Sequence, residues 1–352
     1  MSLKIAICKK DEMFNHSEGW GKWWLDYCQN EGLDFQVIDP YRFDIIDSLT
    51  EFDILLWHPS NYVLADMIES RSILYTAQRM GLSVFPDFKT AWHFDDKIAQ
   101  SYLLQSVNAP VPQSWVFYLM KECIDWVEKE AEFPIIAKLK SGSGSNNVRM
   151  LSSKIEALTY AKRMFGRGFS PAPSLVYKAK SKWQSTHDWE TFTSRVKRIP
   201  EFLHTLSRAK QFPNEHGYAY FQELIPNDGY DLKVVVIGEK ICGFSRKSRK
   251  GDFRASGGGD IIYDNSLVTK QVRDSALEVS KTLGFQCMGF DYVVDNRTGK
   301  GLIVEMCYGF SNDALLATRG YWDSKGEWHS EPLNAPVEIL QNMILEKNKQ
   351  TQ

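Results

Sequence analysis

The segment Asn108-Ala-Pro-Val-Pro112 divides the chain into two parts with different patterns. Before it, short apolar runs alternate with amphipathic helical runs, which is typical of an α/β layer on a parallel sheet. After it, apolar runs are separated by glycine-containing turns, which indicate antiparallel hairpins. Because the two prolines force the chain out of helix, we place a domain boundary here. The 352 residues, 43% of them apolar, suffice for two or three domains with ordinary cores.

Composition excludes several classes of protein. The chain has 42 basic and 44 acidic residues, so its net charge of −2 gives no general attraction for nucleic acid or an anionic membrane. The six cysteines include no CxxC pair, which favours reduced thiols over a zinc site or a disulfide framework. The apolar stretch at 5–8 is too short for a signal peptide, and no apolar run approaches the roughly 20 residues of a membrane span. We therefore expect a soluble, cytoplasmic protein.

The first 95 residues predict strands at 3–8, 35–38 and 53–57 and a helix over 17–32. One face of that helix is apolar at helical spacing and is expected to be buried: Trp20, Trp23, Trp24, Tyr27 and Cys28.

The next part predicts an antiparallel α+β subdomain. A helix at 95–107 is followed by a strand (114–118), a helix (121–131) and two strands (134–138 and 147–151) joined by a Gly/Ser loop. Residues 166–215 then carry nine basic and four acidic side chains, a local charge of +5. Such a segment is either a solvated helical insertion or a surface for an anionic substrate.

Two hairpins follow, and both bring charged residues together. Gly238-Glu239 is a tight turn between strands 231–237 and 241–246, and on the first strand Asp231 and Lys233 share a face. In the second hairpin, 289–307, a turn near Thr298 places Asp291 opposite Glu305. Opposed carboxylates repel, so this pair predicts a cation such as Mg²⁺ shared with phosphates. The alternatives are a register slip of one residue, or neutralisation by nearby Lys and Arg.

Lys138 ends an otherwise apolar strand just before Ser141-Gly142-Ser143-Gly144. A lysine in apolar surroundings needs an anionic partner, and amides freed by glycines can bind phosphate oxygens. The pair therefore indicates a triphosphate site. The loop lacks the third glycine of a dinucleotide fingerprint, GxxxxGK[ST] is absent, and a protein kinase would carry its lysine after the loop.

In their order and spacing, these motifs resemble the ATP-grasp family, especially the ribosomal-protein glutamate ligase and glutathione synthetase-like branch. The resemblance covers roughly residues 85–312. It rests on these stretches: Asp96-Lys97, Ile136-Ala-Lys138-Leu-Lys-Ser-Gly-Ser-Gly144, Gln222-Glu223-Leu224-Ile225, Asp231-Leu-Lys233, Gly251-Asp-Phe-Arg254, Gly289-Phe-Asp291 and Ile303-Val-Glu305.

The resemblance implies an N-terminal α/β domain (1–95), an ATP-grasp small subdomain with its linker helix (96–220) and a carboxylate-bearing subdomain (221–346). It implies that Lys97, Lys138 and the loop 141–144 contact ATP phosphates. Gln222 and the hinge Glu223 to Ile225 would hold adenine, and Asp231 would accept from the ribose hydroxyls. Arg254 and Lys233 would neutralise the transferring phosphoryl group, and Asp291 and Glu305 would hold Mg²⁺.

The sequence departs from the family pattern at three positions. Cys307 stands where the metal strand usually has Asn, and a thiol is a poor ligand for Mg²⁺. Either one metal suffices, Asn312 or Asp313 substitutes for the missing ligand, or the metal site is weakened. Ser256 replaces a common Asn, and Lys233 replaces the usual Arg and loses its bidentate geometry.

The predicted function is an ATP- and Mg²⁺-dependent ligase that joins a carboxylate to an amine through an acyl phosphate. The carboxylate would be a small molecule or part of a peptide or polymer. Alternatives are a phosphotransferase acting on a small molecule and a nucleotide-binding module that has lost turnover. No membrane or nucleic-acid partner is expected, and formation of a homo-oligomer is left open.

Overall fold

The computed structural model describes residues 3–8, 19–61, 63–142, 147–171, 212–248 and 260–351. The first layer is a parallel sheet of order β2-β1-β3-β4. Its strands are β1 (Lys4–Cys8), β2 (Asp34–Ile38), β3 (Ile54–Leu56) and β4 (Ser83–Phe85), and its helices are α1 (Trp20–Asn30), α2 (Ile45–Leu49), α3 (Leu64–Arg79) and α4 (Phe88–Ala91). The expected N-terminal α/β layer is confirmed.

The second sheet is antiparallel, with the order β5-β8-β6-β7. Its strands are β5 (Ser114–Phe117), β6 (Ile135–Lys138), β7 (Val148–Leu151) and β8 (Ala219–Glu223), and its helices are α5 (Lys97–Ser106), α6 (Met120–Lys129) and α7 (Lys154–Met164). The start of α7 is capped by the Ser153 side chain, which accepts from the Glu156 amide, while Glu156 accepts from the amide of Ser152 just before the cap. β6 and β7 form the predicted hairpin around the Gly/Ser loop.

The third sheet is also antiparallel, with the order β13-β12-β9-β10-β14-β15 and with β11 paired to β10. Its strands are β9 (Tyr230–Ile237), β10 (Lys240–Lys247), β11 (Ile261–Ile262), β12 (Cys287–Val294), β13 (Gly301–Cys307), β14 (Tyr321–Trp322) and β15 (Trp328–His329). Its helices are α8 (Lys270–Leu283), α9 (Asn312–Leu316) and α10 (Ala335–Thr351), and a short 3-10 turn spans Asn265–Leu267.

One hydrophobic core joins the first layer to the third sheet. Trp24 on α1 is fully buried in it together with Phe85, Val236 and Met288. The indole Nε1 of Trp24 donates to the Pro336 carbonyl on α10 at 2.8 Å, which fixes the two helices together. Of the predicted helix face, Trp20, Trp24 and Cys28 are buried, and Trp23 and Tyr27 are partly exposed.

The second sheet has a separate core in which Trp126 stacks on Phe221 and packs against Trp115. Among the described residues, the two antiparallel sheets therefore have separate cores. All six cysteines are free. Within the described ranges, no helix is long and apolar enough to cross a membrane.

Candidate active site

Asp291 and Glu305 lie opposite each other on β12 and β13, as the hairpin predicted. The register holds from Gly289 to Asp291 and then shifts at a β-bulge between Asp291 and Tyr292. Asp291 is buried, with 6% of its surface exposed, whereas the Glu305 side chain is 24% exposed. We call the region where the second and third sheets come together the junction. Both carboxylates lie there, Asp291 deeper than Glu305.

Two cations surround Asp291. Lys233 pairs with it across β9 and β12, and its Nζ lies 2.9 Å from Asp291 Oδ1. Arg246 Nη2 approaches the same oxygen at 3.1 Å. Burial alone would raise the pKa of Asp291, but Arg246 and Lys233 outweigh it and hold this pKa below its ordinary value. Asp291 is therefore ionised at neutral pH because two cations are built beside it.

Arg246 also binds Asp231 through a bidentate pair, Nε to Oδ1 at 2.7 Å and Nη2 to Oδ2 at 2.9 Å. Burial lowers the pKa of Arg246, but Asp291 and Asp231 together raise it further than burial lowers it. The sequence interpretation did not include Arg246. Counting outward from the Gly238-Glu239 turn places Arg246 opposite Asp231, so the hairpin pattern contained the signal. A ribose hydroxyl could reach Asp231 only in competition with this guanidinium.

Lys97 and Lys138 enter the site from the other side of the junction. Lys97 is the first residue of α5, and its Nζ lies 3.3 Å from Glu305 Oε1 and donates to the Gly142 carbonyl at 2.5 Å. Burial lowers the pKa of Lys97, but Glu305 and Asp95 raise it further, so its net shift is upward. Lys97 is therefore a fixed cation between the Glu305 carboxylate and the Gly/Ser loop.

Lys138 differs from the other cations because no described carboxylate pairs with it. It ends β6, and its Nζ donates to the Val304 carbonyl on β13 at 3.0 Å. Burial lowers the pKa of Lys138 to about 8, with Lys97 adding to that effect and Glu305 and Asp291 opposing it. A buried ammonium that has only a carbonyl partner attracts an anion such as a phosphate.

We call the Gly/Ser segment 141–147 the glycine loop; Ser143 and Gly144 lie outside the described residues. The Gly142 amide, in a residue with φ of +103°, donates to both oxygens of Asp95 at 2.9 and 3.0 Å. The Ser141 amide donates to Glu215 at 3.0 Å. Burial raises the pKa of Asp95 to about 6, although Lys97 opposes the shift. The first amides of the loop are therefore already bound to carboxylates.

The hinge stretch connects the two antiparallel sheets. Gln222 is buried and donates to the Ser114 hydroxyl at 3.1 Å, and the Glu223 carboxylate lies 3.5 Å from Arg297. Leu224 is half-buried, and Ile225 is buried with its carbonyl accepting from Asn227 at 3.1 Å. The hinge lies at the end of β8, next to the junction that holds the charged residues.

Cys307 does not improve the metal site. Its thiol is bonded to Gly309 (amide to Sγ 3.2 Å), and burial raises the pKa of Cys307 to about 12, so it stays a neutral thiol. Asn312 is not a replacement ligand either, because Asn334 and the Ala335 amide already bind its side chain. Arg254 and Ser256 lie outside the described residues.

The residues present fit a magnesium ion bound together with phosphates. Asp291 and Glu305 supply hard oxygens from adjacent strands, and four cations stand around them: Lys97, Lys138, Lys233 and Arg246. Asp291 and Glu305 face each other as predicted, and Lys and Arg side chains lie beside them as the alternative expected; the bound Mg²⁺ stays a prediction. These cations could turn toward phosphate oxygens when a metal takes the carboxylates.

Replacing Arg246 with Met should destabilise the fold, because it leaves Asp231 and Asp291 buried with less compensation. We expect a loss of about 3 kcal/mol in the free energy of unfolding at pH 7, measured by urea denaturation. Arg42→Met is the control, since Arg42 pairs with Asp44 on the surface and its removal should leave the urea midpoint nearly unchanged. Equal midpoints for the two variants would refute the structural role of Arg246.

Comparison with known proteins identifies the fold. Residues 215–308 match the model of the RimK-like ATP-grasp domain, and no curated protein matches the chain. D-alanine–D-alanine ligase from Bacillus anthracis, complexed with ATP, is similar over 99% of both chains at 11% identity and a TM-score of 0.56. A RimK domain ATP-grasp protein from Sphaerobacter thermophilus aligns over 97% of this chain and 99% of its own, at 12% identity and a TM-score of 0.52.

A third similar structure is the ATP-grasp ligase PsnB in complex with the precursor peptide PsnA2 and AMPPNP. It aligns over 98% of both chains at 13% identity, with a TM-score of 0.56. This chain therefore has the ATP-grasp fold, and its residues 215–308 are similar to the RimK-like ATP-grasp domain.

Proposed function

We propose that this protein is an ATP- and Mg²⁺-dependent ligase that joins a carboxylate to an amine through an acyl phosphate. The observation that carries the proposal is the junction itself, where the Lys138 ammonium, which no described carboxylate pairs, lies beside two opposed carboxylates. A bound anion would pair with the Lys138 ammonium, and a bound divalent metal would relieve the repulsion between the two carboxylates. D-alanine–D-alanine ligase and PsnB are both ligases, and their similarity to this chain supports the same chemistry.

In this proposal the protein works by positioning charges. Lys97 and Lys138 bind the phosphates, and Lys233 and Arg254 neutralise the oxygens of the transferring phosphoryl group. Asp291 and Glu305 would hold Mg²⁺, which would supply neutralisation of the phosphate charge. The hinge from Glu223 to Ile225 and the neighbouring Gln222 hold adenine, and the ribose hydroxyls would replace part of the Arg246 pair at Asp231.

The reaction needs no protein nucleophile. A substrate carboxylate oxygen attacks the γ-phosphorus and ADP leaves, which gives an acyl phosphate. The amine then attacks the acyl carbon, phosphate leaves and the amine loses a proton, so the products are an amide, ADP and phosphate. Fixed charges such as Lys138 and Asp291 serve this chemistry because they require little reorganisation during the step. The carboxylate is a small molecule or a group on a peptide, and the complex of PsnB with a precursor peptide supports the second of these.

Hydroxylamine tests the reaction without knowledge of the amine, because it traps an acyl phosphate as a hydroxamate. The protein is incubated with ATP, Mg²⁺, hydroxylamine and pools of carboxylic acids and peptides. We expect equal amounts of ADP, phosphate and hydroxamate. A stable phosphorylated product without free phosphate would indicate a phosphotransferase, and nucleotide binding without any turnover would indicate a binding module.

The matched variants for this assay are Lys138→Met and Lys129→Met. Lys138→Met removes the phosphate-binding cation and should lower kcat/KM by about a hundredfold or more. Lys129 is in the same subdomain, but its side chain is 68% exposed and pairs with Asp125, so its variant should retain activity. Equal activity of the two variants would contradict the role of Lys138.

The pKa of Lys138, about 8, predicts how nucleotide affinity depends on pH. Below pH 8 the ammonium is charged in the free protein and phosphate binding is strongest. Above pH 8 the free protein loses this proton, and bound phosphate must restore it, so affinity should fall by up to about tenfold per pH unit. Titration calorimetry with AMPPNP at pH 7 to 9.5, in buffers of different ionisation enthalpy, should detect proton uptake near pH 8.5. Lys138→Arg should remove the dependence, and a wild-type affinity that is flat with pH would contradict the assignment.

A further inference from the structure

The two ends of the basic insertion, 166–215, meet at a neck, which we define as residues 167–171 and 214–218. Phe169 and Glu215 exchange both backbone hydrogen bonds, at 3.0 and 2.8 Å. Gly168 has a φ of +67°, and a Cβ there would lie 2.1 Å from the Glu215 carbonyl oxygen. Only glycine fits this position, so the neck has a closely defined geometry.

The Glu215 side chain reaches from the neck to the base of the glycine loop. Its Oε2 accepts from the Lys140 amide at 2.8 Å and its Oε1 from the Ser141 amide at 3.0 Å. The hydroxyls of Ser141 and Tyr218 also donate to it. Burial and the adjacent Glu215 raise the pKa of Tyr218, which keeps its hydroxyl protonated as a donor. One carboxylate thus holds two consecutive amides in fixed directions, that of Lys140 just before the loop and that of Ser141 at its start.

A second contact joins the same two parts. The Asn147 side-chain amide donates to the Ser141 carbonyl at 2.8 Å and to the Pro171 carbonyl at 2.9 Å. Pro171 lies on the segment that enters the insertion, and Glu215 lies on the segment that leaves it. Both sides of the neck are therefore bonded to the glycine loop.

The base of the loop is also bonded to the proposed phosphate-binding lysine. The Lys97 amide donates to the Lys140 carbonyl at 2.8 Å, and Lys97 Nζ donates to the Gly142 carbonyl at 2.5 Å. A displacement of Lys140 and Ser141 would move these contacts, because the carbonyls that hold Lys97 belong to the same short segment. The neck, the loop and Lys97 form one continuous set of hydrogen bonds.

We propose that Glu215 is a positioning residue that fixes the base of the glycine loop to the neck of the insertion, so that its bonds to the Lys140 and Ser141 amides set the affinity for the triphosphate. This inference rests on the proposed ATP site. Glu215 acts through the backbone of Lys140 and Ser141. Loss of its carboxylate should therefore weaken the binding of ligands that carry phosphates and leave the affinity for the nucleoside unchanged.

The test compares Glu215→Gln and Glu215→Ala with Asn214→Ala by titration calorimetry, using AMPPNP, ADP and adenosine. The Gln variant keeps the shape but directs an amide nitrogen at one of the loop amides, so both Glu215 variants should bind AMPPNP about tenfold more weakly. Their affinity for adenosine should change less than twofold. Asn214 donates to the Arg167 carbonyl within the neck, and its variant should bind all three ligands as the wild type does.

Amide hydrogen exchange of the unliganded proteins gives a second readout that needs no nucleotide. Glu215→Gln should speed exchange at the Lys140 and Ser141 amides and also at the Phe169 amide across the neck. If wild-type protein binds AMPPNP but the Glu215 variants bind it equally well, or lose adenosine affinity to the same extent, the positioning role is refuted. If the wild type binds no nucleotide, the proposed function fails, and unchanged exchange at Phe169 would separately refute the coupling.

Discussion

Charge compensation around buried Asp291 is the interaction on which the site depends. A carboxylate at this depth is stable only beside cations, and Lys233 and Arg246 supply them from β9 and β10, the two strands nearest to β12 on one side of the sheet. The strand pairing that builds the third sheet therefore also assembles the charges. Arg246 extends the compensation to Asp231, so three strands share one network.

The second sheet completes this network from outside. Lys138 and Lys97 reach across the junction to the Val304 carbonyl and to Glu305, both on β13. The second sheet has its own core, and its Lys138 bonds directly to β13 of the third sheet. A phosphate bound to the lysines together with a metal bound to the carboxylates would strengthen the contact between the second and third sheets.

The sequence predicted the local features well where a tight turn determines them. The predicted Gly238-Glu239 turn joins β9 and β10, and the two strands pair outward from it as expected. The predicted opposition of Asp291 and Glu305 is confirmed with the help of the bulge. The pairs nearer the turn, such as Tyr292 with Ile303, are one residue out of the predicted register, and the bulge restores that register at Asp291.

The sequence did not show which side chains meet across separate elements. The approach of Lys233 to Asp291 depends on the pairing of β9 with β12, which are far apart in the chain. The contact between Glu215 and Ser141 spans 74 positions and arises from tertiary packing alone. Arg246 was missed although its hairpin was predicted, because only Asp231 and Lys233 on the facing strand were considered. Arg254, the loop residues Ser143 and Gly144 and most of the insertion lie outside the described residues, so their proposed roles stay predictions.

The most direct test of a joint nucleotide and metal site is the effect of Mg²⁺ on AMPPNP affinity in the wild type and in Asp291→Asn, measured by titration calorimetry. Asp295→Asn is the control, because this carboxylate lies just beyond the end of β12 and pairs with Arg297. We expect Mg²⁺ to strengthen binding at least about tenfold in the wild type and the control. In Asp291→Asn the metal should have little effect, while metal-free affinity should be equal or higher, since a negative charge has been removed beside the phosphates. The same enhancement by Mg²⁺ in Asp291→Asn as in the wild type would contradict the site.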